Sequence, residues 1–280
     1  MPDDGRQRIA LHRDHHAGER YEGTFHGVQE SLQVVTVDGQ VASREGKRLE
    51  VLLVASVVVR EVSSGGKSTR SEYTVEQCTT GGEAPEEVLP PGSVVVVTAV
   101  EGPGDGTITL VGGELTDDQR ERIDLVVSTH ISPIGDDDVF GSDEARAVGE
   151  TWQVDSGIAA RSLSKIESMQ FAADHITGST TFSSLEEVDG VPCQRLHAAL
   201  QAEDFVITGL PEGSVTQSAN VSMRMSASLP VDPSMPRLRS EERMTMRMVV
   251  QIPTEDGRTA LMTADHRQFS TREIRPLAPE

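Results

Sequence analysis

The chain has 280 residues, of which 45 are acidic and 25 are basic, giving a formal charge of −20 at pH 7. This charge excludes nucleic acid as a partner, because phosphate binding needs a clustered basic surface and the basic residues here are scattered. Aromatic residues make up only 3%, so the core must consist of Val, Leu, Ile, Met and Ala. No apolar run reaches the roughly 20 residues of a spanning helix, and no transmembrane segment is predicted.

The first half of the chain is predicted to be rich in β-strands. Residues 1–16 are polar and are expected to form a mobile leader or a first edge strand. Residues 17–134 form the first β-rich half, in which Gly- and Pro-containing turns separate strands rich in β-branched residues. Thr116 and Gln119 have the spacing of a capping box and predict a helix near residues 116–128. The strands of this half are predicted at 49–61, 67–76, 94–100 and 107–111.

An acidic stretch separates this half from the second. Residues 135–147 are predicted to be a linker, residues 148–275 a second β-rich half with a weaker helix signal at 158–169, and residues 276–280 a tail. Strands here alternate apolar and polar residues, which is typical of a sheet with one dry face. We therefore predict a mainly β (β-rich α+β) fold: an antiparallel curved sheet or half-barrel with one or two short helices.

Two short segments indicate an internal duplication. Residues 17–21 (AGERY) and 148–152 (VGETW) each consist of a small apolar residue, Gly, Glu, one variable residue and an aromatic. Each segment opens one β-rich half. The match covers five residues, so two related halves and a chance likeness both stay open.

Methionines are the candidate ligand-facing residues. They recur at every second position of two predicted strands, which places their thioethers on one face of a sheet. Core packing is the favoured interpretation, because Met fills irregular gaps. If the sheet curls, the same face can line a concave apolar cavity; soft thioethers also select Cu(I). The residues are Met223, Met225, Met244, Met246, Met248 and Met262.

The two cysteines leave the redox state open. Cys78 and Cys193 can form one disulfide in an oxidising compartment or remain two buried thiols. Their offsets from Tyr21 and Trp152, the aromatics of the repeated segments, differ, which favours free thiols.

No catalytic motif is recognisable. The chain has no G-x-S-x-G elbow, no phosphate-binding loop and no dinucleotide fingerprint. Neighbouring acid pairs such as Glu186 and Glu187 point to opposite faces of a strand and cannot flank one glycosidic bond. We expect a protein that is not an enzyme and needs no cofactor.

Two segments resemble a known group of proteins. Residues 147–152 (AVGETW) are similar to the "vGdtW" element of uncharacterised exported bacterial β-rich proteins, and residues 188–196 (VDGVPCQRL) resemble a strand pair in them. The resemblance implies exported, often lipid-anchored proteins with half-barrel sheets like those of lipoprotein carriers. We expect this chain to depart from them in lacking a leader and a lipobox cysteine. The expected location is periplasmic or extracellular if a leader has been removed, and otherwise cytoplasmic.

Three functions follow as hypotheses. The leading one is a cell-envelope protein that binds an apolar, lipid-like ligand or a protein partner on its curved sheet. The alternative is a structural or assembly module with a filled core. A Met-based copper binder is the weaker alternative.

Overall fold

The computed structural model describes residues 5–102, 105–164, 168–254 and 256–277. Strands hold 57% of the chain and helices 9%, so the predicted mainly β class is confirmed. Within the described residues the helices are α1 (Asp117–Asp124), α2 (Asp136–Phe140) and α3 (Ser156–Leu163), with one 3-10 turn at Ala173–His175. The strands are β1 (Arg20–Val37), β2 (Gln40–Val62), β3 (Ser68–Thr79), β4 (Glu87–Leu89), β5 (Val94–Thr98), β6 (Val100–Glu101), β7 (Thr107–Leu110), β8 (His130–Ile131), β9 (Thr151–Gln153), β10 (Met169–Gln170), β11 (Ile176–Val188), β12 (Val191–Glu203), β13 (Val206–Ile207), β14 (Val215–Pro230), β15 (Arg239–Pro253) and β16 (Thr259–Pro276).

One large antiparallel sheet runs through both halves of the chain. Its strand order is β7-β5-β3-β2-β1-β16-β15-β14-β12-β11-β9, and β4 adds to β3. The strands of the first half follow one another from β1 at the centre of the sheet to β7 at one edge, and those of the second half from β9 at the other edge back to β16 at the centre. There β1 pairs antiparallel with β16, from Tyr21 opposite Pro276 to Val37 opposite Ala260. The sheet is curved and not closed. Two further pairs lie outside it, β10 with β13 and parallel β6 with β8.

The concave face of this sheet carries two hydrophobic clusters, one in each half. In β2 every second residue from Leu49 to Val59 is buried while the residues between them are half-exposed, so only one face of this strand is covered, not both. Helix α1 and the turn after it cover the first cluster with Ile123, Val126 and Val127. Helix α3 covers the second cluster from the opposite end of the sheet. The alternation of apolar residues thus places both cores on the same face.

Helix α1 begins where the sequence predicts. The Gln119 amide donates to Thr116 Oγ1 at 3.2 Å, and the Thr116 amide donates to Gln119 Oε1 at 2.9 Å. The helix ends at Asp124, earlier than the predicted 128, and tight turns continue to Val127. Helix α3 begins at Ser156 and ends at Leu163, so it is shorter than the predicted 158–169, of which residues 165–167 lie outside the described residues.

The N-terminal segment differs from the expected mobile leader or edge strand. Residues 5–16, here called the strap, cross the concave face and bury Ile9 and Leu11. At one end Gln7 bridges to Arg146, and at the other the His15 amide donates to the Gly66 carbonyl at 2.7 Å. Residues 1–4 of the predicted segment and residues 278–280 of the predicted tail lie outside the described residues.

The acidic stretch 135–147 is not a solvated linker throughout. Residues Asp136–Phe140 form α2, which buries Val139 and Phe140 in the second cluster. The Asp137 carboxylate accepts the amide hydrogens of Leu11 at 2.6 Å and His12 at 2.9 Å. Sequence patterns missed this helix because the contacts of Asp137 with the strap and of Asp136 with Arg237 join segments that are distant in sequence.

The two repeated segments have the same turn geometry. Gly18 and Gly149 have φ values of 88° and 89°. The first turn exchanges hydrogen bonds with Val59 and the second makes the same pair of bonds with Phe182. A duplication of whole halves stays a prediction, because α3 lies between β9 and β11 whereas β1 and β2 are joined by a tight turn.

The two cysteines are free and buried, and they belong to different clusters. Cys78 lies on β3 and Cys193 on β12, with five strands between them in the sheet. Adjacent strands lie about 4.8 Å apart, whereas a disulfide needs Cα atoms within about 7 Å. The possible disulfide is therefore not formed. Burial raises the pKa of the Cys78 thiol to about 11.

Candidate functional site

A groove of about 700 Å³ opens in the middle of the concave face. It lies between the turn that follows α1 on one side and the strap with the start of α2 on the other. Helix α1 packs against β2 and helix α3 against β11, on opposite sides of the central strands β1, β16 and β15. The groove is the space that this arrangement leaves open.

The floor of the groove is polar. Strand register places Glu242 of β15 opposite Ser270 of β16, and Ser240 opposite Arg272. Gln268 continues the same row toward the far end of β16. Period-two alternation extends along β16 to buried Ile274, so these polar side chains share its face. On the concave face, polar side chains at the groove floor therefore separate the two hydrophobic clusters.

The side of the groove nearest α1 is apolar and aromatic. Tyr21, Phe25 and Tyr73 are buried there, with the Phe25 and Tyr73 rings 5.9 Å apart in an edge-to-face contact. Burial raises the pKa of both tyrosine hydroxyls, so they stay protonated at neutral pH. Leu125 and Val126 close this wall from above. An apolar body can pack here against rings and aliphatic side chains.

Arg272 places a positive charge on the floor, which also carries Glu242. Its guanidinium lies 5.4 Å from the centre of the Phe25 ring, a cation–π distance. Among the described residues it has no carboxylate within ion-pair distance. A half-buried cation that is stacked on a ring and free of an acidic partner can receive an anionic group.

The strap side of the groove is bound by a charged network around Arg237. Its Nη2 donates to Asp136 Oδ2 at 2.7 Å and to the Leu11 carbonyl at 3.3 Å, and its Nη1 lies 3.7 Å from Glu242. His12 of the strap reaches the Gly65 carbonyl at 3.1 Å. These contacts connect the strap, α2 and β15, so the groove has a fixed wall on this side.

The candidate methionines lie outside this groove. They share its concave face, but the residues that line the groove include none of the six within the described chain. Five pack half-buried against the second cluster: Met223, Met225, Met244, Met246 and Met248. Met262 lies on β16 opposite Val35 and Val250. None of them lines this groove, and Met225 lies at the second groove described below. The expectation that the methionines face a ligand stays a prediction.

Sequence reasoning missed the residues that do line it. The sequence pattern that could have indicated them lies in residues 266–272, where every second residue is polar and Ile274 follows in the same row. It was not read as a site because polar residues at alternate positions usually mark the solvated face of a sheet.

A second, shallower groove of about 470 Å³ lies on the convex face. Arg195, Arg224 and Arg243 line it with His197, in a chain of strongly negative charge. Arg224 lies directly opposite Arg243 across β14 and β15. Arg243 is held by Glu241 at 2.9 Å and by the Phe269 ring at 4.9 Å.

Comparisons with known proteins give no family. No family model and no curated protein matches the chain. The solved structures to which it is similar include lipovitellin, described for its lipid–protein interactions, with 8% identity and a TM-score of 0.36. They also include a mutant of the monoaromatic hydrocarbon channel TodX, with 7% identity and a TM-score of 0.23, over 94% of this chain and 91% of that chain.

A third similar structure is the outer membrane protein OprG from Pseudomonas aeruginosa, with 6% identity and a TM-score of 0.17 over 94% of this chain and 98% of that chain. The lipovitellin match covers 95% of this chain but 26% of lipovitellin. These TM-scores are too low for any inference about function. Among the described helices, none has the length and apolar character to cross a bilayer.

Proposed function

We propose that the protein is a non-enzymatic binding protein of the cell envelope that holds an amphipathic, lipid-like molecule in the concave groove. The observation that carries the proposal is the groove itself, about 700 Å³ with an aromatic wall and, on its floor, an Arg272 that makes no ion pair with the described residues. Ligand sites are typically concave and combine apolar walls with a few polar groups that fix orientation. The envelope location rests on the resemblance of residues 147–152 and 188–196.

The chemistry of the walls specifies the ligand further. The apolar body of the ligand packs against Tyr21, Phe25 and Val126, and its anionic end pairs with Arg272. Carboxylate and phosphate both fit a guanidinium, which offers two parallel N–H donors. The ligand is thus an acid with an extended apolar part.

The first test is direct. Purified protein is extracted with organic solvent and the extract is analysed by mass spectrometry, while a fluorescent fatty acid is titrated into the extracted protein. We expect an anionic amphiphile in the extract and saturable probe binding at one site per chain. A protein that yields no lipid and leaves the probe unbound would contradict the proposal and favour a structural or assembly module.

A charge variant tests the role of Arg272. Arg272→Gln keeps the apolar wall but removes the cation, so we expect affinity for a fatty acid to fall by about tenfold, the equivalent of one charge-assisted hydrogen bond. Affinity for the methyl ester of the same acid stays within about twofold. Arg267→Gln is the matched control, because Arg267 lies on the same strand but is exposed on the convex face.

A further inference from the structure

Three methionines and one histidine occupy neighbouring positions of the sheet on the concave face. Met223 of β14 lies directly opposite Met244 of β15, and Met246 of β15 lies directly opposite His266 of β16. Cβ atoms of directly opposite residues are about 4.5–5.5 Å apart, and Met244 and Met246 are about 7 Å apart along their strand. The long, flexible Met side chains can close these gaps around a single point.

We propose that Met223, Met244, Met246 and His266 bind one Cu(I) ion. Thioethers are soft ligands that select Cu(I), and imidazole is a common copper ligand. The sequence alone indicates methionines but no nitrogen ligand near them. The register of β15 and β16 places His266 beside Met246 and so provides one. The site goes beyond the proposed ligand function, since none of its four residues lines the groove.

The surroundings of His266 suit a metal ligand. Within the described part of the chain its imidazole makes no hydrogen bond and no ion pair. An imidazole nitrogen that is not engaged in a hydrogen bond can donate its lone pair to a metal ion. Its other neighbour across the strand pair is Ser31 of β1, which is uncharged.

The burial of the methionines separates this cluster from ordinary core. On β14, Val221 and Ala227 are completely buried on the same face, whereas Met223 between them is half-exposed. Met244 and Met246 of β15 are half-buried in the same way. These methionines therefore lie at the margin of the second cluster rather than within it.

The test is a competition titration of Cu(I) against bicinchoninate under anaerobic conditions, with the full chain. We expect one Cu(I) per chain, and at least a tenfold lower affinity for Met244→Leu with Met246→Leu and for His266→Asn. Leu conserves the volume of Met, so the packing is retained. Met225→Leu is the control, because Met225 lies opposite Glu242 with its sulfur 4.0 Å from Arg237.

X-ray absorption of the Cu(I)-loaded protein gives a second readout. Sulfur and nitrogen scatterers together support the site, and the nitrogen shell disappears in His266→Asn. Equal Cu(I) affinity in the wild type and both variants, or oxygen and nitrogen scatterers alone, would overturn the proposal. Arg272→Gln leaves Cu(I) affinity unchanged, so failure of the copper site and failure of the lipid site are distinguishable.

Discussion

At the scale of single residues, two glycines open the two parts of the sheet with a backbone conformation that other residues rarely adopt. Gly18 and Gly149 both have φ near +90°, and each is followed by a glutamate whose carboxylate accepts the amide hydrogen of the residue three positions before it. The next aromatic, Tyr21 or Trp152, is then buried in its cluster. The glycine therefore sets the direction from which each aromatic enters the core.

Replacing one of these glycines tests this role. Gly149→Ala meets no atom within 4 Å of the added Cβ, so its cost is conformational alone. We expect the free energy of unfolding to fall by about 1–2 kcal/mol, the cost of a left-handed conformation for an L-residue. Gly65→Ala, at a turn glycine without positive φ, is the control and should lie within about 0.5 kcal/mol of wild type. Urea unfolding measures both, and equal values for the two variants would contradict the argument.

At the scale of elements, helix α1 connects sequence chemistry to the groove. Its capping box fixes the first turn, Ile123 anchors it in the first cluster, and the turn after it supplies Leu125 and Val126 to the groove wall. Gly27 of β1 allows this close approach, because a Cβ there would lie 2.9 Å from Leu125 Cβ. The capping signal at the start of α1 thus helps to position the groove wall, although the wall residues themselves come after the helix.

Loss of the cap should loosen this wall. Thr116→Ala removes the side-chain acceptor of the Gln119 amide, and we expect the free energy of unfolding to fall by about 1 kcal/mol. Hydrogen exchange of the α1 amides should accelerate more than exchange in β15. Glu114→Ala, an exposed change two residues earlier, should leave both measurements unaltered. Unchanged α1 exchange in Thr116→Ala would show that packing alone holds the helix.

The elements also show how far sequence patterns reach. Alternation placed the methionines of β14 and β15 on one face, and the capping box placed the start of α1, because both signals lie within a few residues. The register between two strands cannot be predicted from so short a segment, because the paired residues are distant in sequence. The pairing of Met246 with His266, and of β1 with β16 across the whole chain, depends on contacts between distant segments.

At the scale of the whole molecule, the groove could not be predicted either, because it is formed by segments that are distant in sequence. Arg272, Glu242 and the strap are far apart in sequence and meet only because β16 returns to the centre of the sheet. The polar N-terminal residues resembled a solvated tail because their hydrogen-bond partners, such as Asp137 and Gln194, lie more than a hundred residues away. The fold class could be predicted from composition and sequence pattern. The groove residues, in contrast, come together only through the order of the strands in the sheet.

The strap closes one side of the groove, and the Asp137 carboxylate is one of its anchors. One carboxylate accepts two strap amides, at 2.6 Å and 2.9 Å, and an alanine accepts neither. Asp137→Ala should therefore let the strap detach more often, which withdraws Ile9 and Leu11 from the second cluster and leaves the first cluster intact. We expect faster tryptic cleavage after Arg8 and Arg13, and faster association and dissociation of a fluorescent fatty acid.

Mass spectrometry of digests taken over time measures the cleavage, and stopped-flow fluorescence measures the exchange of the probe. Asp143→Ala is the control, because it removes the same charge from an exposed position of the following loop. Since opening of a segment is governed by its own local free energy, the melting temperature should change less than the cleavage rate. If Asp137→Ala and Asp143→Ala are cleaved at the wild-type rate, the strap is held by Ile9 and Leu11 in the second cluster rather than by the carboxylate.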